Sequence, residues 1–357
     1  MQTATIIGGG ISGAASAVGL ARAGWHVTVH ERADRLETSG AALGIWPTAL
    51  TALDELGLGE QVRSVATPQG SGVLRRPDGS RIATIDADRV SRRAGDVVHL
   101  VARRDLAAIL DAALPAGAVR YGSPVRADGR ESRASDVVVV ADGVFSANRS
   151  LLLGDRFQAR RTGQTAFRGR VAVMTHEVSE TWGAGRRVGL SPYRDGTTNW
   201  YASVDQAPAR GRPGEAEWLR GCFAGWHEPI GEVLGELDDH DVSRHDLYDV
   251  HPRLPTYAAG HAVMVGDAAR GMTPDLGRGA CEALVDAVTL SRCLSGGRAK
   301  GERGEAVDVG RALARYDATR RPVTQRLQAA SYGLGRLAHA RRMTVLRDVA
   351  VRAALSS

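Results

Sequence analysis

The stretch that decides the fold is ATIIGGGISGAASAVGLARAGWHVTVHE, residues 4–31. Ala4–Ile7 is a short apolar run that reads as a buried parallel strand. Gly8 to Gly13 is a turn, and Ala14–Ala23 reads as a helix with small residues toward the sheet. Gly24 stops that helix in the position where a left-handed residue usually follows the last turn. Trp25–His30 alternates, apolar at Val27 and Val29, and is the second strand of a β–turn–α–β unit. In Gly8-x-Gly10-x-x-Gly13 one glycine makes the tight turn, one lets a pyrophosphate approach the backbone, and one lets helix pack on strand. The helix start, with Ile11 and Ser12, offers N–H groups and a positive dipole to phosphates. Glu31, eighteen positions beyond Gly13, ends the second strand where a carboxylate accepts ribose hydroxyls, and Arg32 sits beside it. The unit implies a dinucleotide but does not by itself choose between dinucleotides.

Two later strands extend the same sheet. Asp136–Val140 is a continuous valine run, as expected of a strand buried on both faces. It leads into Asp142-Gly143-Val144-Phe145-Ser146-Ala147-Asn148-Arg149, alone no more than a turn with a Ser146 cap. Ala262–Val265 ends in Gly266-Asp267, so Asp267 stands at the carboxyl end of a parallel strand, where side chains point into the ligand crevice. The run Pro274, Gly277, Gly279, Ala280 then opens a helix, Gly279–Leu294, whose first N–H groups suit an electron-rich ring edge. Helical patterns also occupy Leu50–Leu58, Arg104–Leu114, Glu215–His227 and Ile230–Leu237, and Asp317–Leu355 is mostly helical. Strand signals fill Gly72–Ile85 around a Pro77-Asp78-Gly79 turn, then Gln164–Val173, Arg187–Tyr193 and Asn199–Val204. Asp238–His245 reads as a solvated turn and Gly296–Gly310 as a polar, flexible connection.

The α/β signals are thus interrupted twice by antiparallel β signals. The expected architecture is α/β, with a Rossmann-like nucleotide domain in pieces (residues 1–70, 97–155 and 256–310). An antiparallel β-sheet domain (71–96 and 156–255) is inserted, and a C-terminal helical segment (311–357) packs on the nucleotide domain.

Composition narrows the function. The net charge of +6 is carried almost wholly by dispersed arginines, Lys300 being the single lysine, which argues against a nucleic-acid stripe. Three cysteines without CxxC and scattered histidines give neither a disulfide framework nor a metal cage, so a cytoplasmic protein without a metal is expected. No basic, then apolar leader and no run of about eighteen apolar residues is seen, so no membrane partner is expected. Arg336, Arg341, Arg342 and Arg347 are expected on a basic outer face of a helix packed on the protein itself.

In this order and spacing, the three motifs at Gly8–Gly13, Asp142-Gly143 and Gly266-Asp267 resemble the class A flavoprotein monooxygenases. These are the single-component FAD enzymes that include 4-hydroxybenzoate, salicylate and urate hydroxylases. The segments GIWPTALTALDELGLG, TAFRGRV, FAGWHEPI and RYDATRRP extend the likeness over nearly the whole chain. The resemblance implies FAD in a glutathione-reductase-type domain. Asp142 would serve the pyrophosphate region, Asp267 the ribityl chain, the Pro274–Cys281 loop the isoalloxazine, and Arg103 a further contact to FAD. It also implies NADPH or NADH as a transient reductant and O₂ as co-substrate. A flavin C4a-hydroperoxide would then hydroxylate or epoxidise a small aromatic or polycyclic compound, a natural product among the candidates. The chain departs from the family at Arg270, where histidine is usual, and at Arg278, usually glutamine. It departs also at Cys281, often asparagine, and at Phe145, often polar.

Substrate candidates are Arg168, for a carboxylate or phenolate, and Tyr193 and Tyr201, for stacking, all on expected strands of the inserted domain. Asp275, after Pro274, is the candidate base or orienting acceptor beside the ring. Trp46 reads as packing, and Cys281 as a small helix-start residue rather than a nucleophile. A monomer or homodimer is expected. The alternative of another class is a flavin- or ligand-binding protein that protects an intermediate without hydroxylating it. Halogenase chemistry lacks its early lysine and WxWxIP motif, and a plain dehydrogenase leaves Gly266-Asp267 unexplained.

Overall fold

The computed structural model describes residues 1–35, 42–205, 207, 214–295 and 307–356. Most of the connection expected at Gly296–Gly310 lies outside the described residues. A six-stranded sheet runs in the order Ala258–Ala259, Ala262–Met264, Val137–Val140, Thr3–Ile7, His26–His30, Val119–Arg120. Every pairing in it is parallel except that of the short edge strand Ala258–Ala259. The valine strand lies beside Thr3–Ile7 at its centre, and all four valines are fully buried, which is why this run does not alternate. The helix Ile11–Arg22 packs on Gly279–Leu294, so the first and last nucleotide motifs meet although far apart in sequence. A three-stranded sheet, Ala42–Ile45, His99–Ala102 and Thr67–Pro68, completes this layer.

A seven-stranded sheet follows the order Ser243–His251, Gln158–Val171, Thr198–Asp205, Arg186–Pro192, Val178–Gly183, Gly72–Arg75, Arg81–Ile85. It is antiparallel except where Val178–Gly183 runs parallel to Gly72–Arg75. Its alternation is two-faced. Phe167, Val188, Leu190, Trp200 and Ala202 bury on one side with Leu219, Val233 and Leu234 of the helices Glu215–Cys222 and Ile230–Gly235. The intervening residues face the other way.

Some local expectations are corrected. Asp238–His245 is not a solvated turn, because a single 3-10 turn at Asp239–Asp241 passes into the strand Ser243–His251. Charge masked that strand, and the charges are paired: Asp246 with Arg161, Asp249 with Arg160, Arg244 with Glu215. A second helix, Gly59–Val65, follows Pro47–Glu55. The C-terminal pattern is two helices, Val309–Ala338 and Thr344–Ser356, the first continuing through Pro322. Arg347 turns inward rather than outward: it is buried, bonded to Asp348 and the carbonyl of Ala338, and lies over the Trp182 ring.

Candidate active site

The glycine loop is a cradle shaped by what it excludes. Gly8 has φ +103°, and a Cβ there would lie 2.5 Å from the Ala141 carbonyl oxygen. A Cβ on Gly13 would lie 1.9 Å from the Gly8 oxygen, so neither position admits a side chain. Gly10 meets nothing within 4 Å, which leaves its face open to a ligand. It is the N-cap of Ile11–Arg22 and supplies no side-chain cap, so the first N–H groups lack intrahelical acceptors. Glu31 closes the loop, accepting from the Gly9 N–H at 2.7 Å and the Ala33 N–H at 2.8 Å. Arg32 is exposed beside it.

Asp142 follows the valine strand, and its Oδ2 accepts from the Asn148 amide at 2.9 Å. Among the described residues its Oδ1 is buried without a partner. Gly143 takes φ +83°, and Ser146 caps the next helix by accepting from the Arg149 N–H. Arg149, given no role by the sequence, is fully buried and donates to the carbonyls of Val144, Phe157 and Ala268. It ties the Asp-Gly loop to the Gly-Asp loop; its only signal was an arginine heading the apolar segment Ser150–Leu153. Asp267, after Gly266 at φ +56°, is open to the cleft, yet protein closes around its carboxylate. That desolvation holds the carboxyl above the ordinary aspartate range, with Arg270 and Arg103 pulling the other way.

Facing this loop is a polar row on the seven-stranded sheet. Register sets Arg168 opposite Tyr201, Tyr201 opposite Gly189, and Gly189 opposite Glu180, so the four share one face across four strands. Gly189 is glycine because the Tyr201 ring lies over it; a Cβ would be 2.1 Å from that ring. Arg187, two residues before Gly189 on the same face, donates to Glu180 at 2.9 Å and forms an ion pair with Asp275. Burial opposes its charge, but Glu180, Tyr201 and Asp275 outweigh burial and raise its pKa. Glu180 also accepts from the Trp182 indole at 2.7 Å. Burial first, then Glu180, pushes the Tyr201 phenol well above its usual value, so it keeps its proton. Arg187 and Glu180 escaped sequence reasoning; the signal was a charge in register with Gly189, opposite in phase to Val188 and Leu190.

The expected site residues therefore divide. Pro274 and Asp275 form a 3-10 turn, Pro274–Leu276, before Gly277 at φ +60°. The Asp275 side chain is fully enclosed on Arg187, and Gly335 of the long helix makes room for it, since a Cβ there would lie 2.5 Å from Oδ2. Gly279 and Ala280 start the helix Gly279–Leu294, which has no side-chain cap. Arg168 has no hydrogen-bond or ion-pair partner among the described residues, and burial, then the charge of Arg103, lower its pKa. Arg103 begins the helix Arg103–Ala112 and is likewise unpaired among the described residues. Tyr193 is not on a strand: it lies in the turn after Arg186–Pro192, with Arg170 4.4 Å above its ring.

The departures at residues 270–281 have structural partners. Arg270 is fully buried on Asp286 at 2.8 Å. Asp286 also takes Arg320, which reaches Glu282, and Glu282 takes Arg278 at 2.7 Å. Arg278 is thereby held over Trp46. Cys281 is buried between the Trp46 N–H and the Gly44 carbonyl, and burial pushes its thiol up to about 11, which argues against a nucleophilic role.

A cradle that any Cβ would fill, an uncapped helix start and the orphaned Asp142 Oδ1 fit the two halves of FAD. Comparison agrees. The family model described as FAD dependent oxidoreductase matches residues 3–112, and that described as FAD binding domain matches residues 116–331. The aurachin C monooxygenase/isomerase of Stigmatella aurantiaca is 32% identical, covering 94% of this chain and 89% of its own. The chain belongs to the class A FAD-dependent monooxygenases. A 3-amino-4-hydroxybenzoate 2-monooxygenase of Streptomyces platensis is 32% identical over 89% of this chain and 83% of its own. The structure of Klebsiella pneumoniae HpxO complexed with FAD and uric acid superposes with a TM-score of 0.83 at 25% identity, over 99% of this flavoprotein and 92% of that chain. The fold expected from the sequence, a Rossmann-like FAD domain with a separate β-sheet domain, is the fold found. Among the described residues no helix is long and apolar enough to cross a membrane, and no cluster of three metal-ligating side chains occurs.

Proposed function

We propose that this flavoprotein hydroxylates a small aromatic compound bearing an acidic group, with NADPH or NADH as reductant and O₂ as oxidant. The observation that carries the substrate class is Arg168, a desolvated guanidinium without a counter-ion among the described residues, on the face that meets the Pro274–Leu276 turn. A buried cation without an anion is costly unless a ligand supplies one. Arg103, half-buried and likewise unpaired among the described residues, is assigned to FAD.

FAD, when bound, supplies two-electron reduction and oxygen activation. The chain's own residues do the rest. Gly8, Gly10, Gly13 and the N–H groups of Ile11 and Ser12 receive the pyrophosphate, and Glu31 keeps lone pairs for ribose hydroxyls. Asp142, Gly143 and Asp267 hold the middle of the cofactor, and Pro274, Gly277, Gly279 and Ala280 border its ring. Arg168 orients the acidic group, and the protonated Tyr201, its hydroxyl held by Glu180, presents its ring to the substrate. Asp275 fixes Arg187, and Glu180 fixes both Arg187 and Tyr201, so this wall is rigid before substrate arrives.

The test is NADPH and NADH oxidation by the FAD-loaded protein with acidic phenols, benzoates and their neutral analogues, under oxygen-18 gas. Acidic members accelerate oxidation and yield product carrying the label. Absence of acceleration across the panel, or product oxygen drawn from water, would sink the proposal.

A further inference from the structure

The turn between the two C-terminal helices carries Met343 at φ 58°, the one non-glycine residue with positive φ among those described. That conformation favours glycine or asparagine, yet a methionine stands there, 71% exposed. Beside it the helix Thr344–Ser356 shows two unlike faces. Inward, Arg347, Asp348 and Val351 are buried, Asp348 being held by Arg76 and Arg347. Outward, Val345 (71% exposed), Leu346 (59%) and Val349 (59%) form one apolar stripe by their three- and four-residue spacing. Leu337, 39% exposed, lies on the other side of the turn.

The exposed charges this segment itself carries have one sign. Arg336 and Arg342 are exposed and without partners among the described residues, and Arg341 reaches only to Asp205 at 3.6 Å. Between residues 336 and 356 the single acid is the buried Asp348. An aliphatic stripe with a cationic rim suits an interface that is apolar below and anionic at its surface. A second copy of the chain would bring two cationic rims together. We infer that this corner docks on an anionic lipid surface, Met343, Val345, Leu346 and Val349 entering the interface and Arg336 and Arg342 meeting the headgroups. The helix lies on the bilayer and does not cross it.

The test is flotation of the full-length, FAD-loaded protein with vesicles of phosphatidylcholine alone or mixed with phosphatidylglycerol. The protein rises with the anionic vesicles only, and less so at high salt. L346E/V349E stays at the bottom with its flavin spectrum unchanged, and R336Q/R342Q partitions roughly thirtyfold more weakly. The inference fails if the wild type ignores both vesicles, or if L346E/V349E floats as well as the wild type. It fails equally if light scattering finds a dimer that L346E/V349E dissolves and no vesicle binding, for then a second copy covers the stripe.

Discussion

Replacing Arg187 by methionine tests the wall of the cleft most directly. Arg187 is almost fully buried, and the side chain of Asp275 has no exposure at all, so the substitution strands a carboxylate that water does not reach. Glu180, 29% exposed, is solvated more easily and contributes less. Breaking a buried pair from one side costs about 3–5 kcal/mol. Unfolding entropy of roughly 2.1 cal/mol/K per residue over 357 residues converts this to a melting temperature lowered by about 4–7 °C. The assay is thermal denaturation followed by circular dichroism at fixed FAD concentration, because bound cofactor itself shifts the midpoint. Asp275→Asn removes the stranded charge, so Arg187→Met/Asp275→Asn is less damaged than the sum of the singles by at least about 1 kcal/mol. Arg187→Met melting within about 1 °C of wild type, or strict additivity in the double variant, refutes the assignment of a shared buried charge.

Gly13→Ala places a methyl carbon 1.9 Å from the Gly8 oxygen; it is expected to abolish FAD retention on gel filtration while the far-ultraviolet dichroism persists. Arg168→Met is expected to raise KM for an acidic substrate by roughly 10- to 100-fold, the worth of one hydrogen bond to a charged group, and to leave a neutral analogue nearly unaffected. Desolvation by the protein packed around it raises the Asp267 carboxyl above its unfolded value, although the residue is open to the cleft. The folded apo-protein therefore binds more protons than the unfolded chain just above the ordinary aspartate range, and its stability falls as pH rises through that window. Asp267→Asn should flatten that slope in urea titrations at stepped pH; an unchanged slope would show that another group sets it.

Local periodicity made the nucleotide layer legible. A glycine turn between strand and helix has few readings, and a run of four valines has few places in a fold. Gly279–Leu294 was readable because its glycine start and apolar spacing agree. The site wall was less legible because it is made by register. Nothing in the sequence sets Arg168, Tyr201, Gly189 and Glu180 in one row; the pairing of four strands does. The strand Ser243–His251 was hidden because its charges find partners only in three dimensions, and Arg347 looked like a surface residue until Asp348 and Trp182 enclosed it. Arg270 and Arg278, which depart from the family's usual residues, each answer a carboxylate on the helix behind them.

Arg149 has a consequence for how the cofactor arrives. One guanidinium spans carbonyls of residues 144, 157 and 268, so the two acidic loops cannot drift apart independently. Their spacing is set when the chain folds, long before any ligand is met. Mutating this arginine should therefore slow the association of FAD as well as loosen it, because each encounter would have to wait for two wandering loops to coincide.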